Sequence, residues 1–196
     1  MKQKTPFTSP RGVVKYPKLD QPYVWNDSTN GSVPDPSGEY STKLVVSEKL
    51  AKPFIAVIDD AIKASGIKPK YLPYKGETDK DTGEPTGNVE FTFKMYGLSF
   101  VKDPQKPLLA DAKGRPVKKA NITPGSEIII SGMIKVGSKS ARMEMSGLQI
   151  VRLAPASTTD FAPIDEDDVF IAEDDEDEEE VTQVEKDEPT NDKIPF

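Results

Sequence analysis

The chain of 196 residues contains neither cysteine nor histidine. Without cysteine there is no disulfide framework, thiolate metal site or cysteine nucleophile, and the chain suits a reducing cytosol without requiring one. Without histidine the Ser-His-Asp triad and ordinary zinc sites are excluded as well. We expect no cofactor and no bound metal.

Long hydrophobic runs are also missing. No apolar segment approaches the ~20 residues that span a bilayer, and the first residues, Met1 to Pro6, lack the apolar stretch of a signal peptide. We expect a soluble protein that is not exported by that route.

Charge is distributed very unevenly along the chain. Residues 1–155 contain 24 Lys and Arg against 16 Asp and Glu, a net charge of +8, whereas residues 156–196 contain 2 against 17, a net charge of −15. A polyanion would be attracted to the first segment and repelled by the second, and the two segments would attract each other. Because the second has too little apolar surface to offset the entropy of ordering, the sequence predicts a folded domain over 1–155 and a disordered acidic tail over 156–196.

Several segments of the domain show the two-residue alternation of β-strands. Within residues 89–100, Phe91 and Phe93 point to one face. Lys94 and Tyr96 point to the other face. Further features are predicted at 12–20, 39–46, 128–136 and 141–153 (strands, the last with a β-bulge at Gly147), at 108–117 (a hairpin) and at 26–38 and 68–88 (loops).

One segment has a helical pattern, with apolar residues at intervals of three and four between Lys52 and Ser65. Ser47 is the predicted N-cap, Pro53 is tolerated in the first turn and Gly66 ends the helix. We expect the helix to pack against the sheet. Evenly spaced strands, one helix and glycine-rich bends favour a small closed β-barrel over a doubly wound sheet.

Cationic and aromatic side chains occur together at several places in the domain. Lys and Arg neutralise phosphates, and exposed rings stack on bases at ~1 to 3 kcal/mol each with little regard to sequence. Lys94 and Tyr96 provide one of each on the same face. The loop before that strand adds Lys70, Tyr71, Tyr74 and Lys75, the pair Tyr23 and Trp25 adds two rings, and Lys135, Lys139 and Arg142 flank a hairpin. The alternatives are that the rings pack in the core and that the cations are ordinary surface charges.

The acidic tail ends on an apolar cluster beside the terminal carboxylate. A bulky apolar residue at the end of a solvated acidic segment predicts a protein-docking tip, formed by Asp192, Ile194, Pro195 and Phe196. The alternative is a tail that only increases solubility.

Two features imitate catalytic or metal sites. Asp79 to Gly83 with Glu90 resembles an EF-hand loop, but its glycine is one place early and Pro85 follows, so we interpret it as a polar loop. A metal-dependent nuclease is the enzymatic alternative, since acidic residues are scattered through the domain, among them Asp59, Asp60 and Glu127. Nothing spaces them as ligands for paired metals.

A third hypothesis is an acidic-tailed interaction protein or DNA mimic. The net charge of +8 on residues 1–155 argues against it, because a mimic of DNA would carry its negative charge on the folded domain.

Three motifs and the tail, in this order, resemble the replication single-stranded DNA-binding proteins of tailed bacteriophages. They are Arg11-Gly12-Val13-Val14-Lys15, Lys70-Tyr71-Leu72-Pro73-Tyr74-Lys75-Gly76, Phe91-Thr92-Phe93-Lys94-Met95-Tyr96 and the acidic segment with an aromatic end. The resemblance spans nearly the whole chain. It implies a mainly β, OB-type five-stranded barrel with a packed helix between the second and third strands, and a tail that contacts the replication machinery.

The same resemblance implies a non-enzymatic function. The chain is expected to bind single-stranded DNA without strong sequence preference during phage replication, recombination and repair, in the cytoplasm of the infected bacterial cell, with a homodimer among the expected assemblies. The tip Ile194-Pro195-Phe196 is similar to that of bacterial single-stranded DNA-binding proteins. Its partner is therefore either a phage polymerase or helicase/primase, or a host protein that reads such tips. The nucleic-acid-binding candidates are Arg11, Lys15, Tyr23, Trp25, Lys70, Tyr71, Tyr74, Lys75, Lys94, Tyr96, Lys135, Lys139 and Arg142.

Overall fold

Strands make up most of the computed structural model, which describes residues 4–99 and 101–155. The described elements are β1 (Lys4–Thr8), β2 (Gly12–Asn26), β3 (Gly31–Pro34), β4 (Glu39–Ser47), α1 (Glu48–Ser65), β5 (Tyr74–Thr78), β6 (Pro85–Tyr96), β7 (Leu108–Ala110), β8 (Pro116–Val117), β9 (Glu127–Val136) and β10 (Ala141–Arg152). These residues belong to a structural unit that spans Met1–Thr158. The predicted tail and its tip residues Asp192, Ile194, Pro195 and Phe196 lie outside the described residues, and the predicted boundary at residue 155 stays a prediction.

Five of the strands pair in a closed ring. The order is β2, β4, β6, β10 and β9, and β9 returns to β2. All neighbours are antiparallel except β6 and β10, which meet in parallel. The helix lies between the second and third strands of this ring in chain order, as the resemblance implied. The predicted mainly β, OB-type class is confirmed.

The core follows from the alternation in β6. Phe91 and Phe93 point into the ring and are fully buried. Phe54 of α1 lies 5.1 Å from Phe91, measured between ring centroids, and Phe7 of β1 lies 5.8 Å from Phe54 and 5.7 Å from Phe93. Because each fully buried Phe contributes roughly 1.5 to 3 kcal/mol, this aromatic cluster fastens α1 and β1 to the ring.

The helix begins earlier than predicted. It starts at Glu48 rather than near Lys52, so Pro53 lies in its interior instead of its first turn. A proline there cannot donate to the carbonyl four residues before it. Ala51, in the additional turn, is completely buried, so tertiary packing offsets this loss. Ser47 occupies the N-cap position, but its side chain makes no capping hydrogen bond.

The predicted end of the helix is confirmed. Gly66 adopts a left-handed conformation with φ of 66°, which glycine reaches without strain, and its N–H donates to the carbonyl of Lys63 at 3.1 Å. No helix in the described part of the chain combines the length and apolar character that a membrane crossing needs.

Two predicted loops are wrong in part, because they contain paired strands. β2 continues to Asn26 and pairs with β3, which lies inside the predicted loop 26–38. β5 and the beginning of β6 form a second hairpin inside the predicted loop 68–88. β1 was not predicted at all, since only Phe7 of its five residues is buried and Pro6 interrupts it. β1 is stabilised by pairing with β9, which is distant in sequence, whereas β3 and β5 are stabilised by pairing with the longer strands β2 and β6 of their hairpins.

Two local predictions are confirmed in the C-terminal half. The pairing register of β10 with β9 shifts between Met145 and Gly147, which is the predicted bulge. The hairpin β7–β8 turns at Gly114, whose φ of 77° favours glycine.

A buried carboxylate joins β2 to the β5–β6 hairpin. Glu77 is 8% exposed and forms an ion pair with Lys15. Thr86 Oγ1 donates to it at 2.7 Å and Asn88 Nδ2 at 2.9 Å. Burial alone would raise the pKa of Glu77, but these three partners outweigh it and lower the pKa to about 2.

The low pKa of Glu77 makes stability dependent on pH. A carboxyl whose pKa is lower in the folded than in the unfolded state stabilises the fold above its unfolded pKa of 4.5, and this contribution is lost as the pH falls towards 2. We expect Glu77→Gln to lower the free energy of unfolding by about 2 kcal/mol at pH 7, the range for hydrogen bonds to a charged group. Urea unfolding of both proteins from pH 7 to pH 2.5 should show the difference shrinking below pH ~4.5. A difference that stays constant over this range would contradict the role of Glu77.

Candidate nucleic-acid interface

Lys94 and Tyr96, which the sequence predicts on one face, both lie on the outward face of the β4–β6 pair. The register places Glu39 opposite Tyr96 and Ser41 opposite Lys94. Arg142 reaches the same place from β10. Glu39 lies between the two cations, with Lys94 Nζ 2.7 Å from Oε2 and Arg142 Nη2 2.7 Å from Oε1. We name Glu39, Lys94, Tyr96 and Arg142 the Glu39 cluster.

Within the Glu39 cluster, Arg142 holds the ring of Tyr96. The guanidinium carbon lies 4.7 Å from the ring centroid, and Nη1 donates a hydrogen bond to the hydroxyl. Tyr96 is nevertheless 45% exposed. The attraction between the guanidinium and the ring, together with this hydrogen bond, holds the ring in one orientation. The arrangement offers a positioned aromatic surface with positive charge beside it, which suits a base and its phosphate.

Glu39 remains ionised in this setting. Burial would raise the pKa of its carboxyl, but the hydrogen bond and charge of Lys94, followed by those of Arg142, outweigh burial and lower the pKa. The carboxylate is thus an internal counterion for two cations. Without it, two positive side chains would lie together on a half-buried surface.

A cleft of about 490 Å³ lies beside the Glu39 cluster. One wall is the segment before β5, which attaches to the β9–β10 turn: the N–H of Lys70 donates to the carbonyl of Ser138 and that of Tyr71 to the carbonyl of Lys139, both at 3.2 Å. Tyr71 is 54% exposed, and Lys70 Nζ lies 5.2 Å from its ring centroid. The cleft therefore has an exposed ring on one side and Lys94, Lys139 and Arg142 on the other.

A second cleft, of about 460 Å³, lies on the other side of the β9–β10 turn. Lys4 and Lys135 line it, and it shares Lys139 and Arg142 with the first cleft. Lys135 pairs with Glu144. The two clefts form one basic surface around the turn. Five of the predicted candidates line it, namely Lys94, Lys139, Arg142, Lys135 and Tyr71, and Lys70 lies beside it through its backbone hydrogen bond to Ser138.

Three predicted cations lie away from this basic surface, and each is paired with an acid. The pairs are Arg11 with Glu127, Lys15 with Glu77, and Lys75 with Glu90, the last at 3.5 Å. Arg11 and Lys75 are well exposed, so their pairs cost little to break.

Tyr74 is also not brought to the clefts. Its ring packs against Phe91, with 6.1 Å between the centroids, and its hydroxyl donates to Asp59 of α1 at 2.8 Å. Burial, followed by the hydrogen bond with Asp59, raises the pKa of Tyr74 to about 12. Tyr74 therefore lies at the edge of the core.

Tyr23 and Trp25 lie in the β2–β3 hairpin. Trp25 is 62% exposed, and its Nε1 donates to Asp27 at 2.8 Å. The hydroxyl of Tyr23 donates to Asp20 at 3.1 Å. Tyr23 is in register with Glu39, so this hairpin begins beside the Glu39 cluster.

Sequence reasoning missed Glu39 and Lys4. Glu39 gains its role from the β4–β6 register, which no local pattern specifies. Lys4 lies on the strand that was not predicted, where pairing with Lys135 brings it to the second cleft.

Other parts of the surface have a different chemistry. A cleft of about 620 Å³ between the β7–β8 hairpin and β9–β10 is lined mainly by apolar side chains, including Leu109, Val117 and Leu148.

Within residues 4–99 and 101–155, no three acidic side chains are grouped as metal ligands. Asp79 of the EF-hand-like loop instead accepts the N–H groups of Asp81 and Thr82, both at 2.9 Å.

Comparison with known proteins gives the fold a context. No protein-family model and no curated protein sequence matches the chain. Among solved structures, it is similar to gp2.5, a single-stranded DNA-binding protein encoded by bacteriophage T7, with 19% identity, a TM-score of 0.55, and 81% of this chain and 98% of that chain covered.

A second similar structure is the single-stranded DNA-binding protein of bacteriophage Enc34 in complex with single-stranded DNA, with 15% identity, a TM-score of 0.54, and 78% of this chain and 89% of that chain covered. A C-terminally truncated form of the Enc34 protein gives the same identity and TM-score, with 75% and 85% covered. The resemblance indicated by the sequence motifs is thus confirmed at the level of the fold: this chain has the fold of phage single-stranded DNA-binding proteins.

Proposed function

We propose that this chain binds single-stranded DNA without strong sequence preference, during replication, recombination and repair of phage DNA in the cytoplasm of the infected bacterium. The observation that carries the proposal is the convergence of Lys94, Tyr96 and Arg142 on one outward face, next to a cleft with Tyr71 and Lys139. In OB folds this kind of face, with the adjoining loops, binds oligonucleotides.

The geometry supports binding that tolerates any sequence. Cations around the two clefts neutralise phosphates, and the exposed rings of Tyr71 and Tyr96 stack on bases, every one of which has a π-face. The named phage proteins of the same fold bind single-stranded DNA, which supports the proposal by analogy.

Glu39 adjusts the strength of this binding. A phosphate that approaches Lys94 or Arg142 competes with the carboxylate for the same donors. Glu39 therefore keeps the cations ordered when DNA is absent, and it weakens binding by its negative charge. The result is a surface that binds and releases DNA without strong retention.

We assign the acidic tail two roles in this proposal. Its charge of −15 competes with DNA for the basic domain, and its tip recruits replication proteins. Phe196 and the terminal carboxylate suit a small apolar pocket next to an Arg or Lys, and Pro195 restricts the backbone before the final ring. The chain acts as a binding protein and not as an enzyme.

Loss of the ring and loss of a cation in the Glu39 cluster should change the salt dependence of DNA binding differently. We expect Tyr96→Ala to weaken binding to an oligo-dT strand at least about fivefold with an unchanged salt slope, because stacking releases no counterions. Lys94→Ala should reduce the slope of log affinity against log salt by ~0.7, the value for one phosphate contact. Fluorescence anisotropy from 50 to 500 mM salt measures both.

Tyr74→Ala is the comparison for Tyr96→Ala. Because the ring of Tyr74 packs on Phe91, we expect Tyr74→Ala to have a lower melting temperature than wild type. The DNA affinity of this variant, measured at a temperature where the variant is folded, decides whether Tyr74 also stacks on a base. Equal affinities of wild type for single-stranded and duplex DNA would contradict a function directed at single-stranded DNA. Cleavage of DNA with Mg²⁺ present would favour the nuclease, and no binding at all would favour the DNA mimic.

Removal of the charge of Glu39 should tighten binding. We expect Glu39→Gln to bind oligo-dT several-fold more tightly than wild type at low salt, with the difference vanishing at high salt where screening is strong. Glu48→Gln is the matched control, because it makes the same charge change on an exposed acid at the start of α1. If both variants tighten binding equally, only net charge matters and Glu39 has no special role.

The tail is tested by two truncations. A protein of residues 1–155 should bind DNA more tightly than the full chain, most strongly at low salt. Deletion of Phe196 alone should leave DNA affinity nearly unchanged, because it removes no side-chain charge, while it abolishes capture of purified polymerase or helicase/primase in a pull-down. Identical capture with and without Phe196 would refute the docking role.

A further inference from the structure

Tyr16 of β2 has an unusual backbone and an unusual direction. Its φ is 50°, in the left-handed region that a bulky residue rarely adopts. The alternation of the strand, with Gly12 and Val14 buried, would point residue 16 into the core. Tyr16 is instead 49% exposed.

A β-bulge causes this reversal. Lys15 is in register with Lys43 and Lys18 with Ser41, so β2 holds two residues where β4 holds one. The extra residue turns the ring out of the core, and Leu19 then resumes the buried face. Burial does not compensate the strain, since half of the side chain remains exposed. Backbone strain that stability does not explain is a sign of function.

Two ammonium groups approach the exposed ring. Lys43 Nζ lies 5.5 Å from its centroid and Lys80 Nζ 4.9 Å. Lys80 belongs to the β5–β6 turn, which Asp79 holds through its hydrogen bonds to two N–H groups. The nearby acids are both buried and engaged: Glu77 by Lys15, and Glu90 by Lys43 and Lys75.

This patch is continuous with the basic surface. Lys43 is in register with Thr92, which lines the first cleft together with Lys94. Lys43 lies two residues from Ser41, the partner of Lys94, which is about 7 Å along the strand. A strand of DNA in the first cleft that continues across β4 would reach Tyr16.

We propose that Tyr16 is a further stacking platform beside Tyr71 and Tyr96, which receives a base of single-stranded DNA while Lys43 and Lys80 turn from the ring to the adjacent phosphates. The inference rests on the proposed function. It extends the binding site from β6 and β10 across β4 to the bulge of β2, and it explains why the strained backbone is kept. When DNA is absent, Lys43 and Lys80 cover the ring of Tyr16. When DNA is present, each lysine gives up its contact with the ring and binds a phosphate instead.

The test separates strain from stacking. Asparagine tolerates the left-handed region, so Tyr16→Asn should melt at the same temperature as wild type or higher. Its affinity for oligo-dT should fall about fivefold to a hundredfold with an unchanged salt slope, the range for one stacked base. Tyr16→Phe keeps the ring and should bind like wild type. Lys80→Ala should reduce the salt slope by ~0.7.

A photocrosslink provides a readout that does not depend on any variant. Wild-type protein irradiated with an oligo-dT strand that carries 5-iododeoxyuridine should yield a peptide modified at Tyr16. Crosslinks at Tyr96 or Tyr71 without one at Tyr16, or a Tyr16→Asn variant that binds like wild type, would overturn the inference and leave the proposed function standing. Failure of the wild-type protein to bind the strand would overturn both.

Discussion

The antiparallel register between β4 and β6 is the constraint on which the rest of the structure depends. It runs without interruption from Glu39 opposite Tyr96 to Ser47 opposite Asn88. Because side chains alternate between the two faces, this one register sends Phe91 and Phe93 into the core and Lys94 to the outside. A slip of one residue would exchange the two sets, exposing the phenyl rings and burying the cations. Core and candidate binding surface are therefore two sides of one pairing.

Neighbouring elements use the core side of this pairing to hold the surface side. The rings of Phe7 and Phe54 fasten β1 and α1 to the buried face of β6. β1 in turn carries Lys4 to the second cleft. The hydrogen bonds of Lys70 and Tyr71 to the β9–β10 turn close the first cleft. In the proposed function, an exposed ring or cation that rests on such a framework would be ordered before DNA arrives, which lowers the entropic cost of binding.

Acidic side chains restrain the cations of the basic surface and of the neighbouring strands. Glu39, Glu77 and Glu90 each lie between or beside lysine and arginine side chains, and the last two are almost completely buried. A buried carboxylate that is well paired fixes the positions of its cations but reduces the net positive field. This balance is compatible with the proposed binding of single-stranded DNA that is also released. Tyr16 adds a strained backbone, with φ of 50°, beneath an exposed ring.

The sequence by itself determined the fold class, the helix end at Gly66, the bulge at Gly147 and the shared face of Lys94 and Tyr96, because alternation and glycine conformation are local properties. It did not determine β1, whose partner β9 is distant in sequence, or the short strands β3 and β5, which form by pairing with the longer strands β2 and β6 of their hairpins. Nor did it reveal Glu39 or Tyr16. The carboxylate acquires its role from the β4–β6 register, and the tyrosine would point inward by alternation. Only the bulge opposite Thr42 turns Tyr16 outward, and which residue a bulge displaces is decided by pairing in three dimensions.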